Sequence, residues 1–428
     1  MKNHTTGILA LLVLSSIVGC GGSEDGGSGD GLGGSNEGAP ATESLPAAAT
    51  PATENETDDE AAGPLPDEAP VGTSAPAADA ASEMPAAPEE EVETPEVNAL
   101  LNSCFTWDGQ SDINKALANH DCVSVAPGSY GVTKPIRVPA GKTLIGQSNN
   151  RTAATFFAAP GFSGSQLLTD DLSEGATATV RRLTFDSKVR TNGIGTRHMT
   201  VNNVEVKNGR CWGVAVAGRG FRLEKSNIHH HGSDPNCNAA PGGGIYVTHT
   251  SVGPDRFAPV ISGNSIHDNV GPGLDIAGVW DGKLIGNDIR NNSYWAAVSV
   301  FGSGWEIYDN RIYHPTSNRA GIPDGQPYWK ECRGGPNGTH TAAVMVCERT
   351  DENGMRSNGN FIHDNSMAAY YGVQLIGNDE SRAYIVPRSN RVMNNNLTGS
   401  VNACVDDFRP GQWFTGKNTW TGCTPIYF

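Results

Sequence analysis

Short runs in which apolar and polar residues alternate recur through the second half of the chain, and each run is only three or four residues long. A unit contains three of them, as in Lys283–Ile285, Asp288–Arg290 and Ala297–Val300. Successive units begin 23 residues apart over part of this region, for example at Asn264 and Asn287. Strands this short cannot bury themselves, so three per repeat predict the coils of a parallel β-helix.

A polar residue, usually Asn, begins each unit, and a second one follows five residues later. The pairs are Asn203 and Asn208, Ser226 and His231, Asn264 and Asn269, Asn287 and Asn292, Asn310 and Pro315, Asn360 and Asn365, and Asn390 and Asn395. Amide side chains stacked at one tight corner hydrogen-bond along the stack and tolerate left-handed backbone. Alternation of period two then predicts an inward column. Its members are Ile228, Ile266, Ile289, Ile312 and Ile362.

The start of the repeat region has its own pattern. A short amphipathic helix is predicted over Asp112–Asn119, and strand-like segments follow at Cys122–Tyr130 and Pro135–Gly146. This succession resembles the N-terminal cap and first coils of the pectin-lyase-like right-handed parallel β-helix superfamily, and the resemblance covers residues 98–428. It implies an all-β fold of three-strand coils, about 23 residues each, behind a capping helix.

The N-terminus predicts an exported protein. An apolar run at Ile8–Val18 is too short to span a bilayer and indicates an export signal. The sequence Ile17-Val18-Gly19-Cys20 resembles the lipobox of bacterial lipoproteins. This implies a signal peptide over residues 1–19 and lipid attachment at Cys20; the alternative is an ordinary signal with an unrelated Cys. Because Gly21 follows, the resemblance favours the outer membrane or cell surface if the envelope is Gram-negative.

A lipid-anchored, disordered linker is predicted over residues 20–97. It consists of Gly, Ala, Pro, Ser, Thr and acidic residues, and it buries too little apolar surface to fold. Of the 46 acidic residues in the chain, 19 lie between Gly21 and Val97, where there is no Lys or Arg. The net charge of −16 therefore belongs to the linker, and the body is close to neutral. A basic surface for nucleic acid is excluded.

Eight cysteines remain after Cys20. An exported protein meets oxidising conditions, and the eight fall in sequence as four close pairs. Nearest-neighbour disulfides are the simplest of the many connectivities. They would join Cys104 to Cys122, Cys211 to Cys237, Cys332 to Cys347, and Cys404 to Cys423.

The superfamily resemblance implies a substrate groove on the sheet that follows the longer turn. Long insertions at His231–Gly243 and Pro315–Thr341 leave the same corner and would form walls. Alternation predicts the outward residues of the floor as Tyr246, Asp275, Ser299, Met345 and Gln374. Asp275 could serve as base, nucleophile or calcium ligand, or it is a solvated carboxylate. Calcium is the one candidate cofactor.

A second outward column is predicted on the strand before the long turn: His229, His267, Arg290, Tyr313 and His363. These side chains suit a polyhydroxylated or uronate chain, although an ordinary polar surface gives the same pattern. His231 is a candidate for proton transfer. Lys330 and Arg333 in the second insertion could, like Arg290, neutralise a substrate carboxylate. The His229–His231 run contains metal-ligand residue types, but alternation lets two at most share an ion, so no metal is assigned.

These candidates favour an exported, surface-tethered enzyme, a lyase or epimerase acting on a uronate-containing polysaccharide. Asp275 or His231 would be the base, Arg290 the cation and Tyr246 the acid. His229, His267, Tyr313, Ser299, Lys330 and Arg333 would contact the polymer. A glycosidase is less favoured, because Asp275 has no evident carboxylate neighbour on the floor. The alternative is a non-catalytic carbohydrate-binding or adhesin-like β-helix. We expect a monomer that contacts the membrane only through its lipid.

Overall fold

The structure is a computed structural model. It describes residues 95–170, 177–217, 220–234, 237, 242–248, 258–293, 296–314, 341–347, 357, 359–376, 390–400, 403–407, 418–419 and 426–427. All of these belong to one compact unit. No helix in these ranges is long and apolar enough to cross a membrane.

Two helices precede the repeats, α1 (Pro95–Ser103) and α2 (Ile113–Asn119). The Asp112 side chain begins α2 by accepting a hydrogen bond of 2.9 Å from the backbone N–H of Asn114, which satisfies a donor that the first turn leaves free. Ile113, Ala116 and Leu117 are buried on one face. The predicted capping helix is confirmed, and α1 is an addition that the pattern did not predict.

The rest of the described chain forms short strands, with a 3₁₀ helix at Arg151–Ala153. In chain order the strands are β1 (Phe105–Trp107), β2 (Cys122–Val125), β3 (Gly128–Val132), β4 (Ile136–Val138), β5 (Thr143–Gly146), β6 (Ala154–Ala158), β7 (Gln166–Asp170), β8 (Ala178–Arg181), β9 (Thr184–Asp186), β10 (Asn192–Thr196), β11 (Met199–Asn202), β12 (Glu205–Lys207), β13 (Val214–Ala217), β14 (Arg222–Glu224), β15 (Asn227–His229), β16 (Ile245–Thr248), β17 (Val260–Ser262), β18 (Ser265–His267), β19 (Leu274–Trp280), β20 (Lys283–Ile285), β21 (Asp288–Arg290), β22 (Ala296–Ser303), β23 (Glu306–Tyr308), β24 (Arg311–Tyr313), β25 (Ala342–Cys347), β26 (Phe361–His363), β27 (Ser366–Ala368), β28 (Tyr371–Ile376), β29 (Arg391–Met393), β30 (Ala403–Asp407) and β31 (Ile426–Tyr427).

These strands build three parallel sheets in the part of the chain that the structure describes. Sheet 1 runs β1-β2-β5-β8-β11-β14-β17-β20-β23-β26-β29, sheet 2 runs from β3 to β27, and sheet 3 runs from β4 to β31. The chain visits sheets 1, 2 and 3 in turn, as in β11, β12 and β13, and then begins the next coil. The protein is a right-handed parallel β-helix, which confirms the predicted fold.

The core is made of apolar columns that run along the coil axis. In sheet 2, Ile228, Ile266, Ile289 and Ile312 are buried in consecutive coils. Ile362 is also buried but belongs to sheet 1, where it pairs with Ile307. Each coil thus buries its apolar residues only by stacking on its neighbours.

The corner between sheets 1 and 2 carries an amide ladder. Asn287 shows the pattern: its Oδ1 accepts bonds of 2.9 Å from both the backbone N–H and Nδ2 of Asn264, and its Nδ2 donates to Asn310 Oδ1 at 2.9 Å and to the Ile261 carbonyl at 3.0 Å. All of these partners are inside the protein, so each amide satisfies groups that water cannot reach. The ladder consists of Asn264, Asn287, Asn310, Asn365, Asn395 and Asn418.

Two details of the predicted stack are wrong. The left-handed residue is the one before the ladder amide wherever the structure describes both, as at Gly263 and Asp309, with φ of 63° and 56°. Asn203 is such a left-handed residue, with φ of 50°, and Val204 occupies the ladder position, donating its N–H to Ser226 Oγ.

The five-residue Asn spacing also joins different corners in different coils. Asn264 and Asn269 lie at the corners before and after sheet 2. Asn360 instead lies between sheets 3 and 1, where it accepts a bond from the Trp305 N–H, and Asn365 follows sheet 1. Two corners of similar chemistry lie five residues apart on either side of a three-residue strand, so the sequence spacing alone could not separate them.

Candidate functional site

The outer face of sheet 3 carries the predicted floor. Tyr246, Asp275, Ser299, Met345 and Gln374 are register partners in β16, β19, β22, β25 and β28. The inward residues beside them, Ile245, Leu274, Val298, Val344 and Val373, align in the same way and are fully buried. The structure therefore brings five residues together as one row. The first and the last of them, Tyr246 and Gln374, are 128 positions apart in the sequence.

Most of this row is shielded from water. Asp275 is 6% exposed, Gln374 2% and Ser299 0%. Ser299 Oγ makes no hydrogen bond within the described residues, and a buried hydroxyl without a partner is rare in proteins. The carboxylate and the hydroxyl lie on adjacent strands, about 4.8 Å apart by strand spacing. Low solvent access also strengthens their electrostatic interactions.

An aromatic pair closes the N-terminal end of the row. Trp212 stacks on Tyr246 with ring centroids 5.0 Å apart and planes inclined by 29°. Asn192 fixes the backbone before the indole, because its Oδ1 accepts bonds of 3.0 Å from the N–H groups of Cys211 and Trp212. Sequence reasoning missed Trp212. Its place beside Cys211, in a predicted disulfide, was the available signal.

Covalent and ionic contacts hold the first insertion beside this pair. Cys211 is bonded to Cys237, and Arg210 Nε forms an ion pair with Asp234. The first insertion connects β15 to β16, and the second insertion connects β24 to β25. Both therefore start at the corner between sheets 2 and 3, as predicted. Strands β19 and β22, which carry Asp275 and Ser299, lie between them.

Disulfides join Cys104 to Cys122 as well as Cys211 to Cys237, which confirms two of the predicted pairs. Disulfides of this kind are typical of proteins that fold outside the cytosol. The pairs Cys332–Cys347 and Cys404–Cys423, the lipid site Cys20, and the wall residues Lys330 and Arg333 involve positions outside the described residues and stay predictions.

The second predicted column lies on sheet 2. His229, His267, Arg290 and Tyr313 are register partners. The placement of His363 in this column is wrong: it pairs with Tyr308 in sheet 1. The sequence assigned it by the five-residue spacing that fits two corners.

Arg290 is also placed away from Asp275. Its guanidinium Nε donates to Asp288 Oδ2 at 2.8 Å on the outer face of sheet 2, whereas Asp275 is on sheet 3. The predicted cation and base are therefore on different faces of the coil.

His231 is inside the protein rather than at an exposed corner, so its predicted proton-transfer position is corrected. Its Nδ1 accepts a bond of 2.7 Å from the Gly209 N–H, and its Nε2 donates to the Val206 carbonyl at 3.0 Å. Burial lowers the pKa of His231 to about 3. The ring is neutral at ordinary pH and takes a ladder position before Asn269, whose Oδ1 accepts the His231 N–H.

Comparison with known proteins agrees with the fold. Residues 98–322 match the sequence profile of a family described as rhamnogalacturonase A/epimerase, pectate lyase-like. The chain belongs to this family. The superfamily resemblance inferred from the N-terminal coils is thereby confirmed. No curated protein matches the chain in a sequence search.

Solved structures share the family's architecture at low identity. ORF18 of Geobacillus virus E2 has a TM-score of 0.51 and 12% identity over 76% of this chain and 62% of its own, so the chain spans less than two thirds of that protein. A surface adhesin of Streptococcus pneumoniae has a TM-score of 0.49 and 11% identity over 77% and 90%. A mannuronan C-5 epimerase A-module of Azotobacter vinelandii has a TM-score of 0.41 and 15% identity over 77% and 99%. At 12% identity the first likeness shows the fold alone, and nothing is inferred from the other two.

Proposed function

We propose that this protein is an exported, surface-tethered enzyme that acts on a uronate-containing polysaccharide, as a lyase or epimerase. The row of Tyr246, Asp275 and Ser299 on sheet 3, between two insertions at one corner, is the observation that carries the proposal. Membership of a family described by a rhamnogalacturonase, an epimerase and pectate lyase likeness supports it.

The roles follow from adjacency. Both β-elimination and epimerisation remove the proton at C5 of a uronate and then protonate either the leaving oxygen or the opposite face. Asp275 is assigned as the base and Tyr246, its register neighbour, as the acid. Ser299, on the other side of Asp275, would hydrogen-bond the sugar. His231 is withdrawn from the mechanism because its ring nitrogens bond backbone groups inside the coil.

A cation must offset the charge that develops on the uronate carboxylate. Arg290 is on sheet 2 and bonded to Asp288, so it is not assigned to this step. Lys330 and Arg333 from the second insertion, or a calcium ion held by Asp275, are the candidates.

Register disfavours hydrolysis by two carboxylates of this row. The next Asp position in it is Asp406, whose backbone pairs with Gln374. It lies four strands from Asp275, or about 19 Å at the usual strand spacing. Paired carboxylates in glycosidases lie about 5–9.5 Å apart.

The test is a polymer screen with the purified protein on pectate, rhamnogalacturonan, alginate and chondroitin. Ultraviolet absorbance of unsaturated ends reports elimination, and exchange of the C5 hydrogen with deuterated solvent reports epimerisation. New reducing ends without unsaturation would indicate a hydrolase and contradict the assigned chemistry.

The position of Arg290 also favours a second candidate, a non-catalytic carbohydrate-binding protein of the cell surface. That function needs the row and the aromatic pair but no cation beside Asp275. Binding of a polymer in a pull-down, with no product and no hydrogen exchange on any substrate, would support it over the enzyme.

A further inference from the structure

Tyr313, on the outer face of sheet 2, is an exposed aromatic side chain with 47% of its surface open to water. The outward rings of the other two sheets have partners: Tyr246 on sheet 3 stacks with Trp212, and Tyr308 on sheet 1 stacks with His363 at a centroid distance of 5.0 Å. Within the described residues no ring or cation stacks on Tyr313. Tyr313 therefore presents an aromatic ring to solvent without the partner that the other two Tyr residues have.

The register of sheet 2 explains this exposure. Pairing places Tyr313 between Arg290 in β21 and Ala368 in β27. The other outward residue of β27 is Ser366, so both outward side chains of that strand are short. Because neither is as long as a phenol ring, they leave the side of Tyr313 that faces β27 uncovered. The surface therefore steps down from the ring of Tyr313 onto β27.

A cation lies beside the ring. Arg311 and Tyr313 are both exposed on the same face of β24, two residues apart, which is about 6.6 Å at the usual rise of a strand. Asp288 is the register partner of Arg311, but its Oδ2 accepts a hydrogen bond of 2.8 Å from Arg290 Nε instead. In the described part of the chain no carboxylate forms an ion pair with Arg311. Its guanidinium therefore keeps its donors for a ligand next to the ring.

We propose that this surface binds an acidic polysaccharide at one of its uronate units. We name it the sheet 2 patch: Arg290, Arg311, Tyr313, Ser366 and Ala368. The flat apolar face of the sugar packs on the Tyr313 ring above Ala368, the Arg311 guanidinium pairs with the sugar carboxylate, and the Ser366 hydroxyl bonds a sugar hydroxyl. A nucleic acid fits less well, because it needs a basic surface and the body of the chain is close to neutral.

The sheet 2 patch is separate from the row of Asp275, which lies on sheet 3. Asp288, the carboxylate beside the patch, is held by Arg290, so the patch holds the polymer without reacting with it. A polymer that contacts the patch and the row at once is held more tightly than by either alone. The inference rests on the proposed function only for the class of polymer, since Asp275 takes no part in the patch.

The test measures binding of polygalacturonate and of alginate by isothermal titration. The parent is the full chain carrying Asp275→Asn, so that turnover does not consume the ligand. Adding Tyr313→Ala should weaken binding by at least about tenfold, because a polymer held at two sites loses the contribution of one. Tyr313→Phe keeps the ring and should bind within about twofold of the parent. Arg311→Gln should weaken binding of polygalacturonate but not of its methyl ester, which carries no carboxylate.

Arg222→Gln is the matched control, because Arg222 is an exposed Arg on sheet 1 whose Nε is paired with Glu224. It should leave the affinity unchanged, and all variants should keep the melting temperature of the parent. The proposal is overturned if the parent binds neither polymer, if Tyr313→Ala and Arg311→Gln bind as tightly as the parent, or if Arg222→Gln loses as much as Arg311→Gln. Loss of binding in the patch variants, with no turnover of any polymer by the wild type, would contradict the proposed function alone.

Discussion

Two corners of the coil share one local arrangement, a left-handed residue followed by an inward amide or ring. It occurs from Gly263 to Asn395 at the corner between sheets 1 and 2, and after His230, Asp268 and Asn291 at the corner between sheets 2 and 3. The first has two residues between strands in every coil from β8–β9 to β26–β27. The second varies from two residues between β27 and β28 to 28 between β24 and β25. The ladder at the first corner continues through Asn418, whereas the described ladder at the second is His231, Asn269 and Asn292.

The difference separates two tasks. A corner of constant length lets identical amides stack, so it fixes the register of the coils from Asn264 to Asn418. A corner of variable length gives up part of that stack and carries the insertions beside Asp275 and Ser299. Register set at one corner therefore aligns the residues reached through the other.

The largest expected effect is on turnover, and it comes from a change on sheet 3, beside the corner of variable length between sheets 2 and 3. Asp275→Asn should lower turnover by about 10²–10⁴-fold, because the amide cannot take the C5 proton. The melting temperature should stay within a few degrees. Turnover on the active polymer and thermal unfolding measure the two.

Ser265→Ala, on the outer face of sheet 2, is the control and should be near wild type in both measurements. Full activity of Asp275→Asn would remove the carboxylate from the mechanism.

The largest loss of stability is expected from a change in the amide ladder, at the corner between sheets 1 and 2. Asn287→Ala leaves the backbone N–H and one side-chain N–H of Asn264 without their acceptor, and it removes the Nδ2 bonds to Asn310 Oδ1 and the Ile261 carbonyl. It should lower the free energy of unfolding by about 3–5 kcal/mol. Denaturant unfolding measures it.

Thr398→Ala, in a short polar turn, should cost well under 1 kcal/mol by comparison, within the usual range for surface changes. Equal losses for the two variants would mean that the ladder does not set register.

The disulfide Cys211–Cys237, at the corner between sheets 2 and 3, should affect both the free energy of unfolding and KM. Cys211→Ser with Cys237→Ser should cost about 2–4 kcal/mol. It should also raise KM, because the bridge holds the insertion next to Trp212 and Tyr246.

Cys104→Ser with Cys122→Ser, at the N-terminal cap, should reduce stability without changing KM. Identical KM for the two double variants would contradict a role of the first insertion in the groove.

The smallest effect on stability is expected at His231, where the substitution makes the corner between sheets 2 and 3 resemble the Asn ladder. His231→Asn should change the free energy of unfolding by about 1 kcal/mol or less, because Asn holds the equivalent position at Asn269 and Asn292. Activity should persist. A large loss of turnover with unchanged stability would return His231 to the mechanism.

Much of the architecture could be predicted because alternation is a local rule. The inward Ile residues of sheet 2 and the outward row from Tyr246 to Gln374 follow from counting in twos within short strands. Corner positions were harder to predict than strand positions, because Asn, Asp and Gly occur both at the left-handed position and at the ladder position. Asn203 and Asn360 were misplaced for that reason, and His363 with them.

Chemistry at the site depends on contacts that no local rule contains. Arg290 was predicted to act with Asp275 in one mechanism, but its column lies on sheet 2 and the row of Asp275 lies on sheet 3. His231 turns inward because the residue before it is left-handed. The Trp212–Tyr246 stack joins segments that a disulfide and the Asn192 side chain hold in place.

The interval of 23 residues that separates Asn264, Asn287 and Asn310 has a consequence for how such proteins change. Deleting or duplicating one whole interval would join like surfaces to like, so the molecule could be shortened or lengthened as a modular array. The outward row on sheet 3 would change in length by steps, while the side chains on the remaining coils kept their surroundings.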